Sequence, residues 1–262
     1  MANFNRVAVV VVDGVGCGEA EDASSAYPED KGTNSLRNAA TRRTIDAPAL
    51  EEMGLGEIPG LEGIHLARTV VRERVHGAFG ALEPTFAGNG STEGHQAIMG
   101  HVVTNPYQVF NKERIPPDIE RLVEDAVTAV TGRAAIVIRY PETDDISGTV
   151  FIDHSEIGPR HFTSKDHSEP LYVPIYASSD SLIQIALHQE VIPQSKIEAI
   201  GQEVRRLLTE RGYRIARVIM RPFTGKPGNF KRVSPDRRDY GVDPDSETVI
   251  DQLVRADVPV HG

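Results

Sequence analysis

The chain has 262 residues, of which 39% are hydrophobic, 25% charged and 6% aromatic. That length and composition support a sizeable packed core and exclude a disordered chain or a disulfide-stapled miniature. With 38 acidic against 28 basic residues, a formal net charge of −10, no overall field draws a nucleic-acid backbone or an anionic bilayer, so neither is an expected partner. An anionic small molecule remains open, because a metal or a local arginine pocket reverses the potential where the ligand sits. Cys17 is the single cysteine, which excludes an internal disulfide and predicts a reducing compartment, the cytoplasm. The apolar run Val7 to Val12 ends at Asp13 and is too short for a signal-peptide core or a membrane span.

In chain order, Arg6 to Asp13 reads as a parallel strand buried on both faces, since β-branched residues continue without polar alternation and stop at an acid. An Asp at the carboxyl end of such a strand is a candidate ligand or base, or equally a helix N-cap. Gly88 to His95 (GNGSTEGH) is the densest polar-glycine cluster and leads into the apolar Ile98 and Met99, as a loop entering a helix does. Ser91 is the candidate nucleophile there, near the positive end of the helix dipole where a phosphoryl group is stabilised. A Ser or Thr helix cap, with His95 a polar neighbour, is the competing reading.

The periodicity predicts a helix over Pro116 to Val130, opened by Pro-Pro and closed by Gly132, then a strand over Ala134 to Ile138. Between Pro141 and Pro170 the composition turns polar and aperiodic, predicting a long loop or excursion. Tyr172 to Tyr176 and Ala216 to Arg221 are further strands, with an amphipathic helix on Ile197, Ile200, Val204, Leu207 and Leu208 between them. Ser178-Ser-Asp180-Ser can bind a sugar or cap a following helix. Arg217, Arg221 and Arg232 surround a Pro/Gly-rich run and supply enough guanidinium for bidentate hold on a phosphate, although a solvated arginine is the default for each. Val249, Ile250, Leu253 and Val254 form a last helical face, and Val258-Pro-Val260 looks like the start of one more strand. The alternation of strands and helices argues an α/β fold.

Three short motifs are set aside. Gly14-Val-Gly-Cys-Gly18 lacks the dinucleotide spacing and follows an acid; Gly225-Lys226 is followed by Pro and has no glycine five residues before Gly225, so it is no phosphate-binding P-loop; Asn89-Gly-Ser91 is an accidental glycosylation match.

Several separated segments, in order, resemble phosphopentomutases of the alkaline-phosphatase-like metalloenzyme superfamily. These are VDGVGCGEA at 12–20, Met53 to Ile58 against a "LGLGNI" turn, Gly94-His95 with Ile98-Met-Gly100, Pro106 to Phe110, Tyr176 to His188, and Arg217 to Asn229. The resemblance implies an alkaline-phosphatase-like core with a central, mostly parallel sheet and an inserted α/β cap. The expected division is residues 1–105 as the first part of the core, 106–222 as the cap and 223–262 as a return to the core. It implies interconversion of ribose 1-phosphate and ribose 5-phosphate, and of the deoxyribose pair, through a phosphoenzyme and a bisphosphate intermediate on two Mn²⁺ ions. Asp13 and Ser91 would be metal ligands. Ser91 stands where the family usually carries threonine and would hold the phosphoryl group, with Thr92 the adjacent alternative. Ser178 and Asp180 would hold the sugar, and Arg217 and Arg232 would lie near the substrate phosphate.

The family continues past the region these 262 residues match, and that further part supplies most metal ligands, including an Asp-His-Gly segment. The resemblance therefore implies a core short of its C-terminal part. By itself the chain is expected to bind manganese weakly and to lack mutase turnover, since Asp13 and Ser91 cannot satisfy two hard dications. Asp153-His154 and Asp166-His167 are followed by Ser rather than Gly and are not expected to be ligands. The rival functions are another phosphohydrolase or a phosphoglycerate-type mutase of the superfamily, or a catalytically silent chain.

Overall fold

A computed structural model describes residues 6–12, 14–21, 23, 28–66, 78–88, 90–110, 115–139, 158–178 and 180–261. The chain forms two compact units, Met1–Pro84 and Thr85–Gly262.

In the first unit, helix α1 (Ser35–Arg42) starts where the Asn34 side chain accepts the Arg37 N–H. Asn34 Nδ2 and Arg37 Nε both donate to the Gly60 carbonyl, at 3.0 and 2.6 Å, so the helix start is tied to the turn that follows the short helix α2 (Pro48–Glu52). Leu36, Ile58, Leu61, Ile64 and Leu66 make a small core between them. Residues 6–12 do not form the expected strand: they belong to no ladder, and Val7, Val9, Val10, Val11 and Val12 are all exposed. A strand exists by the hydrogen bonds it shares with a neighbour, and no described stretch pairs with this one, so its β-branched content finds no sheet to enter.

The second unit is built on a six-stranded mixed sheet. Strands β1 (Ala135–Arg139), β2 (Leu171–Tyr176), β3 (Leu182–His188), β4 (Arg217–Lys226) and β5 (Asn229–Arg232) lie in that order, and β6 (Arg238–Gly241) pairs with β4 beside β5. The β1–β2 and β3–β4 ladders are parallel; β2–β3, β4–β5 and β4–β6 are antiparallel. The sheet is thus mixed, in keeping with an α/β fold. Helix α3 (Ser91–Ile98) precedes it in the chain, and α4 (Pro117–Thr131), α5 (Gln194–Glu210) and α6 (Val249–Arg255) complete the helices discussed here.

The expected helix at 116–130 is α4, with Pro116 at its N-cap and Gly132 closing it at φ 75°, a left-handed position that glycine takes without cost. The expected helix between the later strands is α5, whose Ile197, Ile200, Val204 and Leu208 are buried. These residues and those of α4 pack on one face of the sheet, against Val173, Ile175, Ile183, Ile185, Val218 and Met220. Strand side chains alternate between faces, so the residues opposite one another in the ladders at Tyr176, Gln184 and Ile219, and at Leu182 and Arg217, belong to the other face. That face carries the polar side chains of the candidate site. Arg133, itself buried, holds the segment before β2 by donating to the carbonyls of Asp166 and Glu169, at 2.7 and 2.9 Å.

Gly201 of α5 faces the sheet with no room for a side chain. A Cβ there would lie 2.2 Å from Tyr240 Cε2 and 2.7 Å from Met220 Cγ. Alanine normally favours a helix over glycine by about 1 kcal/mol, but here the overlap reverses the sign. Gly201→Ala is expected to destabilise by about 1–3 kcal/mol, read as a lower midpoint in urea at unchanged slope.

Two expectations for the end of the chain change. Helix α6 forms, with a reciprocal Thr248–Asp251 capping box, but none of its residues is buried and Val249, Ile250 and Val254 are exposed. Val258 to Val260 form no strand. In both places the apolar pattern is present and the surface that would cover it is not among the described residues. No described helix is long and apolar enough to cross a membrane.

Candidate functional site

The site gathers where β3 and β4 begin and α3 begins. The Ser181 hydroxyl donates to the Gln108 carbonyl at 2.6 Å and accepts the Ala216 N–H at 3.0 Å, and Arg217 N–H reaches the Ser181 carbonyl. This buried serine joins three segments and sets where β4 starts. The Ser178 to Ser181 segment leads into strand β3, not into a helix, so the helix-cap reading of these hydroxyls does not hold. The Ser178 hydroxyl instead accepts the Asp180 N–H at 3.4 Å, a turn that turns the Asp180 carboxylate toward Arg217.

Ser91 opens α3, with Gly90 as the N-cap and no side chain capping the helix. Its hydroxyl is therefore not spent on its own helix end. It accepts from Arg217 Nη2 at 3.1 Å, and the same nitrogen donates to Asp180 Oδ2 at 3.1 Å. Arg217 Nη1 lies 3.9 Å from Asp239 Oδ2, and its Nε is buried without a hydrogen-bond partner. The guanidinium, on a side chain about a quarter exposed, is thus placed between a hydroxyl and two carboxylates, and Arg217 lines a pocket of about 510 Å³. Ser91, Thr92, His95, Gln96, Arg217, Gly241 and Asp251 are among the residues that line it. His95 Nδ1 sits 2.6 Å from the Ser91 carbonyl oxygen, and Gln96 is held by the Tyr107 hydroxyl. Asp251 is engaged by Thr248 through its backbone and side chain, which holds its carboxyl below the usual carboxylate range.

Of the expected site residues, the structure joins Ser91, Asp180 and Arg217, puts Thr92 on the same pocket wall, and places Ser178 in the turn that carries Asp180. Arg232 lies elsewhere on the same sheet face, opposite Phe223 in the β4–β5 ladder, beside Tyr176. Asp13 lies outside the described residues, as do Asp153 and His154. The Gly241, Thr248 and Asp251 walls were not legible as site residues, since nothing local distinguishes them from turn and capping residues. Asp239 was missed for the same reason: its role comes only from the β4–β6 register.

A second group of charges lies along this face. Arg221 Nε donates to Gln184 Oε1 at 2.7 Å, and Arg237 makes a two-pronged contact with Asp239, both arms at 2.6 Å. Burial pushes the Tyr176 hydroxyl above the usual phenol range, against the pull of the nearby Arg221, Arg232 and Arg237 guanidiniums. Burial likewise lowers Arg221 from the ordinary guanidinium value, with Arg237 and Arg232 adding repulsion.

Among the described residues, no group of three or more His, Cys, Asp or Glu side chains stands together in a way that could hold a metal ion. Two hard dications need about six oxygen or nitrogen ligands each, and the described residues around Ser91 do not supply that set.

This α/β unit thus brings a hydroxyl, an arginine and a carboxylate into contact beside one pocket. Sequence comparison gives the particular relationship. The chain is 35% identical over 260 residues to a phosphopentomutase of Carboxydothermus hydrogenoformans, covering 99% of this chain and 60% of that protein. It is 32% identical over 258 residues to a phosphopentomutase of Pseudothermotoga lettingae, covering 98% of this chain and 59% of that protein. No family model matches. The resemblance read from the motifs is therefore found along nearly the whole chain, which is related in sequence to phosphopentomutases and spans about 60% of the length of these curated relatives.

Proposed function

We propose that this chain carries the phosphoryl-holding and sugar-binding part of a phosphopentomutase, acting on ribose and deoxyribose phosphates. The observation that carries the reading is the Arg217 bridge: one guanidinium nitrogen contacts both Ser91, read as the phosphoryl acceptor, and Asp180, read as a sugar contact. These residues are 126 and 37 positions from Arg217, so their meeting is a product of the fold.

In this reading Ser91 Oγ carries a phosphoryl group at the N-terminus of α3, where helix N–H groups and dipole favour the added negative charge. The O–P bond to Ser91 breaks as a sugar phosphate hydroxyl takes the group, giving a bisphosphate, and the other phosphate then returns to Ser91 Oγ. The Arg217 guanidinium offers donors and no acceptor, so its part is to orient the hydroxyl and neutralise phosphoryl charge. Asp180 and Ser178 hold sugar hydroxyls, and Arg232 engages the substrate's phosphate. The inserted cap, residues 106–222, would take in β1 to β3 and the first part of β4, and the proposed setting is the cytoplasm. The two manganese ions implied by the motif resemblance would supply charge stabilisation and orientation of phosphoryl oxygens, with Asp13 and Ser91 as this chain's contribution to their ligands.

A binding profile tests the substrate class without requiring turnover. Titration calorimetry of the 262-residue protein with ribose 5-phosphate, ribose 1-phosphate and 3-phosphoglycerate is expected to show tighter binding of the pentose phosphates. Preference for the glycerate phosphate, or phosphate release from glycerate phosphates with no pentose isomerisation, would transfer the assignment to another member of the superfamily.

A further inference from the structure

Helix α3 is fastened near both ends. Ser91 at its start accepts from Arg217, and Gln96 in its last turn accepts the Tyr107 hydroxyl through Oε1 at 2.9 Å. Five residues of helix span about 7.5 Å, so the two contacts lie at opposite ends of one short, stiff lever. Tyr107 is buried and packs with Val103 and Ala216. Burial pushes its hydroxyl above the usual phenol range, which keeps it a donor to Gln96.

From Tyr107 the contacts lead to the start of β4. The Arg214 guanidinium carbon lies 5.1 Å from the centre of the Tyr107 ring, a cation–π distance. Arg214 Nη2 donates to the Asn105 carbonyl at 2.9 Å, and Nη1 donates to Asp245 Oδ2 at 3.0 Å. Gln108 closes the junction: its Oε1 accepts the Arg214 backbone N–H at 3.1 Å, and its own N–H reaches the Arg214 carbonyl at 2.7 Å. The Asp245 arm contributes little by itself, because that carboxylate is 60% exposed. The ring contact and the Asn105 carbonyl make the site specific for a planar fork. Arg214 thus ties together the chain after α3, the entry to β4 and the chain before α6. Arg217, the partner of Ser91, follows three residues later.

We propose that Tyr107 and Arg214 form a clasp that positions Ser91 against Arg217, holding the helix through Gln96 and the strand through the residues just before β4. Both are positioning residues: their side-chain contacts are with Gln96, Asn105 and Asp245, and they act through the Ser91–Arg217 contact. A hydrogen bond between groups on two different elements forms only when both elements are already held, since each gives up freedom in making it. The part the clasp plays in phosphoryl transfer rests on the reading of Ser91 in the preceding subsection, whereas the clasp itself does not.

The test reads Arg217 itself. In nitrogen-correlated NMR spectra of the 262-residue protein, the Arg217 guanidinium N–H signals, identified by their loss in Arg217→Met, report through their exchange with solvent how firmly the group keeps its partners. Ser91→Ala is expected to speed that exchange about fivefold, the effect of losing one hydrogen bond. Tyr107→Phe, which keeps the ring and removes only the hydroxyl, is expected to speed it severalfold, and Gln96→Met to match it. Arg214→Lys should act in the same direction, because a point charge cannot replace the stacked fork. In the Ser91→Ala background Tyr107→Phe should add less than about twofold, since the contact it serves is already gone. Arg206→Met, which removes a cation paired with Glu203 and Glu210 on the exposed side of α5, should change nothing. Exchange unaltered in both Tyr107→Phe and Gln96→Met would overturn the clasp. So would an effect of Tyr107→Phe equally large in the Ser91→Ala background, since the tyrosine would then act on general stability. Arg217 signals exchanging too fast to observe in the parent protein would overturn it as well, because no held contact would exist to be set. Ribose 5-phosphate added to the parent separates the two readings: exchange that depends on Tyr107 and does not respond to the sugar phosphate supports the clasp and counts against the pentose phosphate assignment.

Discussion

Replacing Ser91 with alanine is expected to lower conversion of ribose 1-phosphate to ribose 5-phosphate by about 10³-fold or more, the scale of loss when a covalent nucleophile is removed. Ser91→Thr should retain activity within about tenfold, since the hydroxyl survives and only a methyl group is added at a half-open pocket wall. The structural basis is that the Ser91 hydroxyl is free of helix capping and faces the Arg217 guanidinium. Thr92 lines the same pocket, so Thr92→Ala is the necessary comparison, and it should fall much less than Ser91→Ala. The measurement is initial-rate turnover with manganese, made on a full-length relative carrying residues 85–105 of this chain in place of its own. Turnover in Ser91→Ala close to the parent rate would remove the serine from the chemistry, and a larger fall in Thr92→Ala would move the phosphoryl group one residue along. An Arg217-dependent fall in binding without loss at Ser91 would leave a binding pocket and no phosphoenzyme.

The second large effect concerns stability. Ile200 is fully buried at the centre of the cluster formed by α4, α5 and the sheet. Truncation to alanine removes its transfer free energy and leaves a cavity walled by rigid neighbours, at a cost of about 2–5 kcal/mol. For a unit of this size, each kcal/mol moves the thermal midpoint by roughly 2–4 °C, so the drop is read directly in a melting experiment. A change within experimental scatter would mean that α5 does not pack on the sheet through this residue. The same helix contains Gly201, where adding a methyl group rather than removing atoms is expected to destabilise; the pair brackets a contact that tolerates neither loss nor gain of volume.

Much of the sheet unit was legible in the sequence. Ile119, Leu122, Val123, Ala126 and Val127 repeat at helical spacing and are buried on α4, and Ile197, Ile200, Val204 and Leu208 do the same on α5. Pro116 and Gly132 mark the ends of α4 because their backbone preferences are local. Strand β4 runs on to Lys226 beyond the expected end at Arg221, because its hairpin with β5 supplies hydrogen bonds that side-chain pattern does not reveal. The run at 6–12 and Val258 to Val260 show the reverse failure: both have strand composition, but no described neighbour pairs with them.

The site divides in the same way. Asp180 and Arg217 lie in runs of consecutive residues that resemble a known family, and Ser91 and Arg232 lie within a few residues of such runs. Arg221 was visible only as one basic residue of the Arg217 to Asn229 run, and Asp239 gave no local signal. The sequence alone determined which segments become helices and strands, where apolar faces lie and which family the motifs resemble, since these follow from periodicity and short-range backbone preference. Tertiary structure alone decided that Arg217 meets both Ser91 and Asp180, and that Arg221 reaches Gln184 on the neighbouring strand. Those meetings depend on the register and direction of paired strands, where a shift of one residue would turn every side chain to the opposite face.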